Sequence, residues 1–334
     1  MKQIVTLLIM CLALVSCVDE EEFDNSPRGN FEALWKIIDE HYCFFDYKAQ
    51  TYGLDWNAVH AKYSAQIDDR MTETQLFEVL GNMLGELRDG HVNMYSRWDV
   101  ARNWTWHEEF PANVSDTLLR RYLGTDYRIA SGMKYRKLDD NMGYLRCESF
   151  ASGMGAGNLD EIMLYFAPCN GLIIDIRDNG GGLLSSAQEL AARFTDKELL
   201  VGYIQHKTGP GHNDFSDLSE QRLKPARGIR WHKPVVVLTN RSVYSAANEF
   251  VKFMRCCPNV TVVGDHTGGG AGMPYSSELP IGWSIRFSAT PMYDKDKNST
   301  EFGIAPDHYV SLTDDDVRRG KDTIIEYARR ILND

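Results

Sequence analysis

Leu172-Ile173-Ile174-Asp175-Ile176-Arg177-Asp178-Asn179-Gly180-Gly181-Gly182 decides the fold. Its apolar, β-branched start, with a single carboxylate inside it, is the pattern of a strand buried on both faces. Three glycines then break the run, and Ser185 to Phe194 reads as a helix. The same texture repeats outward. Upstream, Met142 to Cys147 predicts a strand and Leu159 to Phe166 a helix. Downstream come a strand at Val235-Val236-Val237-Leu238, a helix from Ser245 to Arg255, a strand at Val260 to Val263 and an amphipathic helix from Asp314 to Leu332. Strands alternating with helices predict an α/β core around a largely parallel sheet, over residues 143–334.

Residues 30–95 predict a helical N-terminal subdomain. Phe31, Leu34, Trp35, Ile38 and Tyr42 recur at three- and four-residue spacing, and so do Trp56, Val59, His60 and Tyr63. A third stripe carries Leu76, Phe77, Leu80, Met83, Leu84 and Leu87, and stops at Asp89-Gly90. His91 to Tyr95 alternates like a strand. Residues 96–142 have poor periodicity and predict an irregular connecting segment, although Trp98, Trp104, Trp106 and Phe110 give it core material.

The chain has 334 residues, 43% of them hydrophobic and 25% charged, which are globular proportions. Its net charge of −11 excludes an electrostatic nucleic-acid binder. The first residues form a signal-peptide pattern: Lys2, then an apolar run from Ile4 to Val15 that is too short to span a bilayer. Leu14-Val15-Ser16-Cys17 resembles a bacterial lipobox, which implies cleavage after residue 16 and lipidation of Cys17. Residues 17–29, with Asp19-Glu20-Glu21-Glu22, read as an acidic tether. They resemble the export signal of Bacteroidetes surface lipoproteins, which implies a lipid-anchored protein of the cell envelope, exposed at the outer membrane. Cys43, Cys147, Cys169, Cys256 and Cys257 remain. An odd number without CxxC spacing indicates neither a disulfide framework nor a zinc knuckle. No metal site is expected, since the histidines lack ligand spacing and Asp294, Asp296 and Asn298 lack the glycine and glutamate of a calcium loop. No cofactor is expected either: no Gly-Lys-Ser/Thr follows the glycines, and Gly153 to Gly157 lacks dinucleotide spacing.

Two segments carry chemistry. After the strand at 235–238, a tight turn delivers Ser245 to a helix start, beside unpaired backbone N–H groups and the positive helix end. A serine nucleophile profits from that place, because the next N–H, that of Ala246, can bind an oxyanion. Capping by Ser245, or use of Ser242 in the same turn, are the other readings of this spacing. The Gly180-Gly181-Gly182 turn lets backbone approach a ligand and offers further N–H donors.

In these residues the chain resembles the S41 peptidases, the family of tail-specific (C-terminal processing) proteases and the tricorn core protease. The resemblance rests on Asp175-x-Arg177-x-Asn179-x-Gly181-Gly182, Ser245-Ala246-Ala247-x-Glu249, Leu87-x-Asp89-x-His91 and Gly303-Ile304-Ala305-Pro306-Asp307, which occur in family order. It implies a ClpP/crotonase-like core behind a helical N-terminal part, and a peptidase acting on peptide or protein through Ser245. Tail-specific members use a lysine about 25 residues after the serine, and that position here falls on Gly270. Tricorn-like members use an N-terminal histidine and a late glutamate, which His91 and Glu301 match. His266 is the rival base, and Glu249 or Glu278 the rival carboxylates. A serine precedes the histidine in tricorn, whereas Gly90 stands here. Oxyanion donors would be Ala246 and Gly181, with Asp175, Arg177 and Asn179 structural. The 96–142 segment is too short for a full PDZ module. The other function open to such a chain is a non-catalytic ligand- or peptide-binding lipoprotein of the same fold, with Trp98, Trp104, Trp106 and Trp283 lining its pocket.

Overall fold

A computed structural model describes residues 23–333, so the signal peptide and Cys17 lie outside the described residues. Residues 27–85 are helical: α1 (Pro27–His41), α2 (Phe45–Tyr52), α3 (Trp56–Ser64) and α4 (Glu73–Gly85). Ser26 caps α1 by accepting the Gly29 N–H, and Pro27 occupies the first turn. Residues 27–29 therefore belong to a helix rather than to the acidic tether. Thr72 and Gln75 form a capping box on α4. The predicted apolar stripes of these helices meet in one cluster, which also takes in Leu279, Trp283, Ile285 and Phe287 from late in the chain. The N-terminal helices thus share a core with distant strands.

Next come β1 (Asn93–Tyr95), β2 (Val100–Arg102), α5 (Thr105–Glu108), α6 (Asp116–Leu123), β3 (Arg128–Ala130) and β4 (Met133–Lys137). Residues 96–142 are therefore ordered elements instead of an irregular connection, and they do not make a PDZ domain. Their strands have at most two buried residues each, too few to register as a period. The α/β part follows as β5 (Met142–Arg146), α7 (Ala156–Phe166), β6 (Gly171–Asp175), α8 (Leu184–Ala191), β7 (Leu199–Ile204), β8 (Ser219–Leu223), β9 (Val235–Thr239), α9 (Ala246–Met254) and β10 (Val260–Gly264). The chain ends with β11 (Gly272–Glu278), β12 (Ser284–Tyr293), β13 (His308–Tyr309), α10 (Asp314–Arg318) and α11 (Thr323–Asn333). Gly320, at φ +74°, splits the predicted C-terminal helix in two.

The main sheet has the order β13-β10-β9-β6-β5-β4-β3. It is parallel from β13 to β5, with β4 and β3 added antiparallel. β6 and β9 are buried along their whole length, as the apolar run predicts. Leu172, Ile174, Val235 and Val237 face the core under α8 and α9. Ile173, Val236 and Leu238 face the other side, against Ile324, Ile325 and Ala328 of α11. A second, antiparallel sheet runs β2-β1-β12-β7-β8, with β11 also on β12. The consequence for function lies in the order of the main sheet. β6 and β9 are neighbours, so the two loops that leave their C-terminal ends emerge side by side, the usual place for a ligand in such sheets.

Candidate active site

The loop after β6 and the loop after β9 are bolted together. Tyr244 N–H donates to Asn179 O at 3.1 Å, Asp178 N–H to Asn240 Oδ1 at 2.9 Å, and Asn240 Nδ2 to Asp178 Oδ1 at 2.7 Å. Beneath them, Asp175 accepts Arg177 Nη2 at 2.6 Å, Tyr144 Oη at 2.8 Å and Arg146 Nη1 at 3.1 Å. Arg177, wholly buried, also donates to Asp322 Oδ2 at 2.9 Å and Asn113 O at 3.0 Å. Burial alone would raise the Asp175 carboxyl. The Arg177 and Arg146 guanidinium groups reverse this and hold it well below the usual carboxylate range. The network ties β5, β6 and α11 under the loops, and none of its residues lines the cleft described below.

Ser245 stands at the head of α9 with φ 56° and ψ −125°, a backbone conformation that a non-glycine residue rarely holds. The turn is enforced from outside: Ser245 N–H donates to Gly269 O at 2.8 Å, and Gly268 N–H to Val243 O at 2.8 Å. His91 reaches it from the turn before β1, and its Nε2 lies 3.0 Å from Ser245 Oγ. His91 is 4% exposed, and burial pushes its imidazole down to about 4, with Asp89 opposing and Arg286 and Lys48 assisting. It is therefore neutral at pH 7, and able to accept a proton from Ser245.

Ala246 N–H forms no hydrogen bond among the described residues and stands at the positive end of α9, beside Ser245. Gly181 as an oxyanion donor needs correction. Its N–H donates to Asn179 Oδ1 at 2.9 Å and is already engaged. Gly181 acts through its missing side chain: at φ +99°, a Cβ there would lie 2.7 Å from Tyr244 O and 2.9 Å from Ser245 Cβ. Asn179 Nδ2 also donates to Cys147 O at 3.1 Å.

Glu301 is buried nearby but makes no hydrogen bond to His91. Its carboxyl oxygens accept Lys48 Nζ at 3.2 Å and Ala271 N–H at 3.0 Å. His91 Nδ1 has no hydrogen-bond partner among the described residues. The carboxylate nearest in sequence is Asp89, which takes the His91 backbone N–H at 2.8 Å, Ser288 Oγ at 2.8 Å, Tyr42 Oη at 2.9 Å and Tyr244 Oη at 3.3 Å. Sequence reading placed Asp89 in a motif without giving it this role. Lys48 had no signal at all, being one lysine in an ordinary helix. Neither rival carboxylate is placed to help: Glu249 pairs with Lys252, and Glu278 is exposed on β11. His266 turns its Nδ1 to Thr267 O at 3.0 Å, and Ser242 lines the cleft without a bond to His91.

Two aromatic rings explain the departures at Gly90 and Gly270. A Cβ at Gly270 would sit 2.4 Å from the Tyr244 ring, so no lysine fits there. A Cβ at Gly90 would meet Trp106 Nε1 at 2.5 Å. Trp106 stacks on Tyr244 at 4.1 Å. The cleft above Ser245 has a volume of 610 Å³ and is walled by Tyr95, Trp104, Trp106, His107 and Arg286. The four tryptophans do not share a pocket: Trp98 and Trp283 pack on Phe77 elsewhere.

A serine and histidine paired at the C-terminal edge of a parallel sheet, on a strand–turn–helix, define an α/β protein built for acyl-transfer chemistry. The comparisons narrow the class. The model of peptidase family S41 matches residues 141–310, and that of the tricorn protease C1 domain residues 23–85. The chain belongs to peptidase family S41. The solved structure of a candidate peptidase from Parabacteroides merdae is 51% identical, with a TM-score of 0.88 over 92% of this chain and 97% of that one. The carboxy-terminal processing protease CtpA of Bacillus subtilis is 26% identical over 178 residues, 53% of this chain but only 36% of its own length. Mature CPAF, 13% identical, shares the fold with a TM-score of 0.71 over 92% of this chain and 96% of its own.

Proposed function

We propose that this chain is a serine peptidase that hydrolyses peptide bonds through an acyl-enzyme on Ser245, with His91 as the general base. The observation that carries the reading is the 3.0 Å approach of His91 Nε2 to Ser245 Oγ. Neutral His91 accepts the hydroxyl proton as Ser245 Oγ attacks the carbonyl carbon. Ala246 N–H, with the positive end of α9 behind it, stabilises the oxyanion. The imidazolium returns its proton to the leaving amine, and water then releases the acid by the same steps. Asp89, in the same buried cluster, favours the imidazolium while it exists. The substrate is a peptide or protein, and the name carried by CtpA makes trimming near a C-terminus the reaction to examine first. This is tricorn-like chemistry, with a histidine in place of the Ser–Lys dyad.

A fluorophosphonate probe, with a mixed peptide library, tests it. Labelling of the native protein that is lost in both Ser245→Ala and His91→Ala supports an activated serine. A folded protein that neither labels nor cleaves is instead the non-catalytic binding lipoprotein.

The lipid anchor on Cys17 and the cell-envelope location are part of the same proposal. They rest on the sequence pattern of residues 1–22. Among the described residues no helix is long and apolar enough to cross a membrane. Incorporation of labelled palmitate that Cys17→Ala abolishes is the expected result.

A further inference from the structure

Arg286 lies on β12 directly opposite Asn93 of β1, in an antiparallel pair. Residues facing each other across such a pair point to the same side. Met94 and Ile285, the next pair along, are buried in the core below. Asn93 and Arg286 thus share the opposite face, and both line the cleft of Ser245 and His91. The guanidinium is near enough to His91 to weigh against its protonation.

Arg286 forms neither a hydrogen bond nor an ion pair with any described residue. Of the other arginines at or under this site, Arg177 and Arg146 are engaged by Asp175 and Arg241 by Asp265, while Arg102, opposite Asn93 on β2, lies over the Trp104 ring at 3.4 Å. The acidic group in the same cleft, Asp178, is bound to Asn240. Half-buried, Arg286 gives up part of its hydration with no protein acceptor to replace it. Its planar fork of N–H donors fits a carboxylate in two parallel hydrogen bonds.

We infer that Arg286 is an anion subsite of the cleft, receiving a carboxylate of the peptide bound across Ser245. Tyr95 and Trp104 supply an apolar wall beside it. In a peptide the carboxylate comes either from the free C-terminus or from an Asp or Glu side chain. This inference deepens the peptidase reading and rests on it for the nature of the ligand.

The test is binding, so that it does not depend on turnover. Ser245→Ala protein is titrated with four peptides of one apolar sequence while tryptophan fluorescence is followed, since Trp104 and Trp106 stand in the cleft. The peptides carry a free C-terminus, an amidated C-terminus, an amidated C-terminus with one internal Glu, and the same with Gln. Either carboxylate peptide is expected to bind about tenfold tighter than its neutral partner. Which one does so identifies the source. The contrast should vanish in Arg286→Gln and partly survive in Arg286→Lys. Equal binding of charged and neutral peptides, absence of binding by all four, or a contrast that persists in Arg286→Gln would overturn the inference. Fluorophosphonate labelling of the native protein is read separately, so a failed subsite and a failed peptidase reading give different results.

Discussion

His91 Nε2 and Ser245 Oγ stand 3.0 Å apart although 154 residues separate them in the chain. One comes from the helical layer and one from the parallel sheet. Removing either should cost hydrolysis at least about a thousandfold, because nucleophile and base act as one unit. The double variant Ser245→Ala/His91→Ala should be no worse than the singles. Steady-state rates with parallel thermal melts check this. Losses that multiply in the double variant would show that the two residues do not work as a pair.

The acid limb of activity should lie unusually low. Burial, helped by Arg286 and Lys48, holds His91 at about 4 instead of its ordinary 6.5. The neutral imidazole is the working form, so activity is lost only as pH falls through that value. A profile of kcat/KM on a short neutral peptide should stay level from pH 7 to about 5 and fall near 4. A limb at 6.5 would place the base elsewhere.

Glu301 makes an opposite prediction for stability. Burial, with Asp89 adding to it, pushes its carboxyl from 4.5 up to about 8. The folded chain therefore holds a proton that the unfolded chain releases above 4.5. That contribution to stability is complete below 4.5 and is lost as pH rises through 8. Glu301→Gln removes the dependence. Urea unfolding should show the difference between variant and native protein moving in favour of the variant from pH 5 to 8.5. A constant difference would place the Glu301 pKa in the ordinary range.

Much of this site was legible because its parts sit in runs with one dominant constraint. β6 and β9 are buried on both faces, so their sequence is an unbroken apolar stretch, and the turns after them are marked by Gly180 to Gly182 and by Ser245. What escaped notice lacks a period. Arg286 comes from a strand whose inward residues mix apolar and polar side chains. Gly181 could be placed beside Ser245 by its motif, yet only coordinates show that Asn179 already holds its N–H. Lys48 and Glu301 are 253 residues apart, and a buried pair of that kind leaves no local trace.

Arg177 should matter for folding before it matters for chemistry. It is wholly buried, and it neutralises Asp175 and Asp322. Arg177→Met would leave two carboxylates buried, with only Arg146 beside one of them. Removing one member of a buried ion pair costs about 3–5 kcal/mol. Denaturant unfolding should register a loss of that size, and activity of the fraction still folded at low temperature should fall far less. A loss under about 1 kcal/mol would mean that the network relaxes without it.

Gly90 and Trp106 should be coupled. The Trp106 indole fills the space that a side chain at position 90 would need. A Cβ at position 90 meets Trp106 Nε1 at 2.5 Å and Tyr244 Oη at 2.9 Å. Trp106 is itself held between His107, at 4.4 Å, and the Tyr244 ring, at 4.1 Å, so moving it away breaks both contacts. Gly90→Ser alone should cost about 1–3 kcal/mol from overpacking and displace His91, lowering kcat more than it raises KM. In a Trp106→Ala background the nearest obstacle is gone, and the cost of Gly90→Ser should fall by at least about 1 kcal/mol in a double-mutant cycle. Additive costs would mean that glycine at this position answers to the backbone of the His91 turn and not to the tryptophan above it.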